Sequence, residues 1–107
     1  MRIKISGIDV PVTHDSRGYA EYRFFISIAP YEPRIRAVDV VIRRDSASAR
    51  SFLCTVCVDL GSSGRIKTQA RAAGPSAAID RAADRTAWLV RRRAAQDFSL
   101  KSPAFSS

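Results

Sequence analysis

The chain has 107 residues, enough for one domain with a modest apolar core and no need of metal or disulfide staples. Lysine and arginine number 18 against 10 acidic residues, a net charge of +8 with a pI near 10.5. That balance fits an anionic partner: nucleic acid first, with an anionic membrane surface or an acidic protein as alternatives. No apolar run is long enough to span a bilayer, and the opening residues alternate Arg2, Ile3, Lys4 and Ile5 with no apolar leader core. A soluble cytoplasmic protein is expected.

Ile3 and Ile5, followed by Ile8 and Val10, predict a first strand over residues 2–8. Asp15 or Ser16 can cap a helix over residues 17–28, with Tyr22, Phe25, Ile26 and Ala29 among its apolar positions. Pro30 and Pro33 stop that helix. A second strand over 36–43 sets Val38, Val40 and Ile42 on one face. Residues 46–49 read as a loop, and a third strand covers 50–60. Gly61-Ser62-Ser63-Gly64 is a hairpin turn into a fourth strand over 65–72. There Ile66, Thr68, Ala70 and Ala72 face one way, while Arg65, Lys67, Gln69 and Arg71 face the other.

Pro75 and Ser76 open a last helix, and beyond Gln96 the composition predicts a mobile tail. The division is therefore a domain over 1–95 and a tail over 96–107. The order β-α-β-β-β-α predicts an α+β fold, one four-stranded sheet with both helices on one face. The opposite sheet face would carry Lys67 and Arg71, with Arg2 and Lys4.

Several motifs invite catalysis, and their context argues against each. Cys54 and Cys57 form a literal C-x-x-C, but within a strand they point to opposite faces with Cα atoms about 10 Å apart. A disulfide needs roughly 4.4 to 6.8 Å. A zinc site needs more ligands than the sole His14 can add. Thr13-His14-Asp15 is adjacent in sequence, whereas a triad is assembled from distant segments. Asp80 and Asp84 are explained as favourable charges near a helix start and as ion-pair partners of Arg81 and Arg85. Gly61–Gly64 lacks the lysine and helix start of a phosphate loop. No enzyme, cofactor, metal or small-molecule substrate is expected.

The final helix carries the functional signal. At about 100° per residue, Ile79, Ala82, Ala83, Thr86, Leu89 and Val90 share one face. Arg81, Arg85, Trp88 and Arg92 form a stripe on the far side. A solvated face explains the stripe as well as RNA binding does, until the overall charge is added. Guanidinium groups pair bidentately with phosphate, and aromatic or guanidinium planes stack on bases. Trp88 either stacks on a base or ribose or covers apolar surface.

The run Ala77-Ala78-Ile79-Asp80-Arg81-Ala82-Ala83-Asp84-Arg85 resembles the opening of the second helix of the ribosome hibernation-promoting factor family, the ribosome-associated inhibitors of bacteria. Ile3-Lys4-Ile5-Ser6-Gly7 and Ile35-Arg36-Ala37-Val38-Asp39-Val40-Val41-Ile42 are similar to its first and second strands. The resemblance spans about residues 1–95 and corresponds to the short, single-domain form. It implies a fold like that of the double-stranded-RNA-binding domain. It also implies binding of small-subunit rRNA at the decoding region, a block on translation by occupancy, and a role in stress. Family basic positions carry over to Arg85 and Arg92, and Trp88 stands where the family often has a basic residue.

The candidate RNA-binding residues are Arg81, Arg85, Trp88, Arg91, Arg92, Arg93, Lys67, Arg71 and Arg23, with Arg17 a weaker one. The expected partner is the small ribosomal subunit, bound by a protein that is a monomer off the ribosome. With the chain ending at Ser107, direct pairing of ribosomes through a second domain is not expected. The alternative is a protein-interaction or regulatory module of the same fold that has lost ribosome binding.

Overall fold

The computed structural model describes residues 1–47 and 50–100. The strands are β1 (Arg2–Ile8), β2 (Ala37–Arg44), β3 (Phe52–Asp59) and β4 (Arg65–Ala72); the helices are α1 (His14–Ile28) and α2 (Pro75–Leu100). The sheet order is β1-β2-β3-β4, parallel between β1 and β2 and antiparallel thereafter. The parallel pair requires a crossover, and α1 supplies it. The architecture is the expected α+β arrangement, β-α-β-β-β-α, with both helices against one sheet face.

Alternation sets that face. Ile5, Val38, Val40, Ile42, Cys54, Val56, Val58, Ile66 and Ala70 point into the core and are buried. From α2, Ile79, Ala82, Ala83, Thr86 and Val90 are buried, as the helical period predicts. On the other sheet face Arg2, Lys4, Lys67 and Arg71 are exposed. Gly61 and Gly64 both take positive φ in the β3–β4 connection, where the Gly61 N–H donates to Asp59 Oδ1 at 2.9 Å.

The first helix departs from expectation in two ways. It starts at His14, because Thr13 is its cap and the Thr13 hydroxyl accepts from the Ser16 N–H at 3.1 Å. Its core stripe is Ala20, Phe24 and Ile28, spaced four apart, whereas Tyr22, Phe25 and Ile26 stand exposed at 63%, 45% and 46%. The segment after it, Ala29–Arg34, continues as a 3-10 turn with Pro33 inside it. The last helix also outruns its expected end at Gln96 and continues to Leu100. Helix formers such as Ala94, Ala95 and Gln96 carry the pattern on past the last core residue. Residues 48 and 49 of the expected loop, and 101–107 of the expected tail, lie outside the described residues.

Candidate nucleic-acid interface

β4 is an edge strand, so its outward carbonyls have no strand to receive. Arginines of α2 take that role. Arg81 Nη1 donates to the Arg71 carbonyl at 3.0 Å, and Arg85 Nη1 to the Gln69 carbonyl at 2.6 Å. Arg93 Nη1 reaches the Ser63 carbonyl in the preceding turn at 2.7 Å. Each bond uses one of a guanidinium's five N–H donors and leaves the rest for a ligand. The side chains are thereby held in place before anything binds, which lowers the entropy lost on binding.

Two open hollows follow this α2–β4 seam. The first, about 550 Å³, is lined by Leu53, Gln69, Ala70, Arg71, Arg81, Asp84 and Arg85. The second, about 370 Å³, is lined by Arg65, Ile66, Lys67, Leu89, Arg92, Arg93 and Gln96. Seven basic side chains therefore border one continuous edge of the molecule. Lying along one edge, their potentials add over the seam. Arg71 is partly offset by an ion pair with Asp45, which is 6% exposed.

Six of the nine candidate residues lie in this seam: Arg81, Arg85, Arg92, Arg93, Lys67 and Arg71. Trp88 and Arg91 do not share it; they line a third hollow on the other flank of α2, with Ser27, Pro30, Tyr31, Asp84 and Ala87. The single far-side stripe is thus divided over two flanks. Arg92 links them by placing its guanidinium 4.7 Å from the Trp88 ring centroid. Arg65 also lines the seam, a position that its alternation with Lys67 and Arg71 signals although the candidate residues omit it.

Arg23 sits at the helix–helix contact and not among the seam-lining residues. Its guanidinium pairs with Asp80 at 3.3 Å and Asp84 at 2.6 Å, and donates to the Ser27 hydroxyl at 2.6 Å. The Tyr19 hydroxyl also donates to Asp80. Asp80 and Asp84 therefore pair across to α1, not along α2 with Arg81 and Arg85. The bond to Asp84 holds the Arg23 guanidinium above its ordinary value, and the bond to Asp80 raises the Tyr19 hydroxyl. Arg17, the weaker candidate, donates to the Ile5 carbonyl at 2.6 Å.

The remaining motifs fall where their chemistry is quiet. Cys54 is buried, and burial alone pushes its thiol up to about 12. Cys57 lies on the opposite sheet face, beside Asp39 and Lys67 in register. His14 is exposed in the first turn of α1. Among the described residues no three His, Cys, Asp or Glu side chains cluster as metal ligands, and no helix is long and apolar enough to cross a membrane.

No family model and no curated sequence matches the chain. Solved structures do. The crystal structure of the Protein Y N-terminal domain from Thermus thermophilus superposes with a TM-score of 0.71 at 26% identity, over 86% of this chain and 98% of that one. The fold is that of the Protein Y N-terminal domain. A ribosomal subunit interface protein from Coxiella burnetii shares it, with a TM-score of 0.78 at 17% identity over 89% of this chain and 99% of that one. The fold shared with both neighbours is the β-α-β-β-β-α fold that the resemblance of residues 77–85 implies. In the Protein Y fold of this chain, the basic seam lies where the second helix meets the edge strand.

Proposed function

We propose that this chain is a ribosome-associated translation inhibitor, a hibernation factor that occupies the decoding region of the small subunit and performs no chemistry. The observation that carries the proposal is the seam: arginines already held by edge-strand carbonyls, with donors to spare for a ligand. Phosphate oxygens of rRNA complement that array in charge and in geometry. A basic edge on a fold shared with a ribosomal subunit interface protein supports rRNA as the partner. The protein would act as a cytoplasmic monomer when off the ribosome.

Co-sedimentation with purified small subunits, alongside inhibition of a reconstituted translation reaction, tests this. Wild-type protein should pellet with subunits and inhibit. The pair of changes Arg85→Glu and Arg92→Glu should weaken sedimentation by at least about tenfold. Unaltered sedimentation of the folded double variant would remove the seam from the account.

A second reading rests on α1. Tyr22, Phe25 and Ile26 are exposed, and both glutamates of the chain, Glu21 and Glu32, border the hollow that Tyr22 and Phe25 line. That surface suits a protein partner. Recovery of one protein and no rRNA in a pull-down would favour a regulatory module over a ribosome inhibitor.

A further inference from the structure

We infer that the hollow between α2 and the turn after α1 is a stacking slot for one unpaired nucleobase, on a strand whose phosphates lie along α2. The inference rests on the RNA reading of the seam and goes beyond it in naming what Trp88 holds. Trp88 is the only tryptophan of the chain and is 47% exposed, so it is not a core residue that the fold requires. The Arg92 guanidinium covers part of the ring at 4.7 Å. The indole also borders a hollow of about 350 Å³, with Pro30, Tyr31 and Ala87 as its other apolar walls. Two aromatic rings and a proline around one open space suit a flat aromatic guest.

Charge selects among such guests. Arg91 borders the hollow, and Arg92 ties it to the seam, so phosphates on either side of an inserted base would meet guanidinium groups. Asp84 also borders the hollow, but it is one carboxylate beside Arg91 and Arg92, and it also pairs with Arg23 at 2.6 Å. An aromatic peptide side chain would fill the space and leave those cations unmatched. A base within a duplex is already stacked and cannot enter, so the guest is a nucleotide from a single-stranded or bulged segment. Because every base has a π-face, the slot favours unpaired nucleotides over any one sequence.

The sole tryptophan makes the test direct. The full chain is titrated with short oligoadenylate and with an abasic strand of equal length and charge, following Trp88 emission and the anisotropy of labelled strands. Oligoadenylate should quench the emission and the abasic strand should not. Trp88→Ala should weaken oligoadenylate binding by about 5- to 150-fold, the span expected for one stacked base, without altering abasic binding. Trp88→Phe should restore most of the loss. Equal binding of both strands with unquenched emission overturns the slot and leaves the seam standing. Emission that responds to intact small subunits but to neither strand means that the indole does not stack on an unpaired base, and the slot is wrong. Binding of neither strand nor subunit overturns the slot and the seam together.

Discussion

Arg85 Nη1 donates to the main-chain carbonyl of Gln69 at 2.6 Å, closing the exposed edge of β4 with a side chain from α2. Arg81 does the same at Arg71, and Arg93 holds the Ser63 carbonyl in the turn that leads into β4. On the opposite edge, Arg17 donates to Ile5 of β1. There a Cβ at Gly7 would lie 2.3 Å from the Val10 carbonyl oxygen and 2.6 Å from Val12 Cγ2, so residues 10–12 fold closely over that edge. Both edges of the sheet are thus blunted against pairing with another chain.

Arg85 therefore serves structure and binding at once. Arg85→Ala should lower stability by about 1 kcal/mol, the worth of one such bond, which chemical denaturation can read. The same change should weaken small-subunit binding, and Arg85→Lys should recover the charge without the planar fork and restore binding only in part.

Arg23 should behave in the opposite way. Its ion pairs with Asp80 and Asp84 join the two helices, but both carboxylates are well exposed and screened by solvent. Arg23→Ala should cost about 1 kcal/mol or less in thermal or chemical unfolding, with little change in binding measured on small subunits. A large loss of binding at unchanged stability would move Arg23 into the RNA surface.

Much of the fold is legible in the sequence, and the exceptions share a cause. β4 shows its residues 65–72 by strict alternation, and the core stripe of α2 follows from helical spacing because its opposite face is charged. In α1 the run Phe24-Phe25-Ile26 places apolar groups at every angle, so only the packed sheet decides that Phe24 goes inward. Asp80 and Asp84 have arginines as neighbours in sequence, yet they pair with Arg23, which belongs to another element. The carbonyls that hold Arg81, Arg85 and Arg93 are main-chain groups of a sheet edge and its turn, and no side-chain pattern announces them.

Thr86 exposes a stability defect in the core of α2. It is fully buried, and its hydroxyl oxygen has no hydrogen-bond partner among the described residues. Thr86→Val keeps the shape and removes the unsatisfied group. It should raise stability by about 1 kcal/mol in denaturant unfolding, without altering binding.

The two thiols should differ in reactivity. An alkylating reagent at neutral pH should modify Cys57 in the native protein, and Cys54 only after unfolding. Burial raises the Cys54 pKa to about 12, so the folded state favours the neutral thiol. That stabilisation is complete below the unfolded thiol value and is lost as pH rises through the folded one. Unfolding free energy should therefore fall from about pH 9 upward, and Cys54→Ala should flatten that part of the profile.

The most direct test of the central claim is the salt dependence of binding to purified small subunits, compared between wild type and the variant carrying Arg85→Glu and Arg92→Glu. Every phosphate that the variant no longer neutralises should reduce the slope of log affinity against log salt by about 0.7 to 0.9. The account predicts a steep wild-type slope, and a double variant that binds more weakly with a shallower one. Equal affinities and equal slopes for the two folded proteins would contradict it.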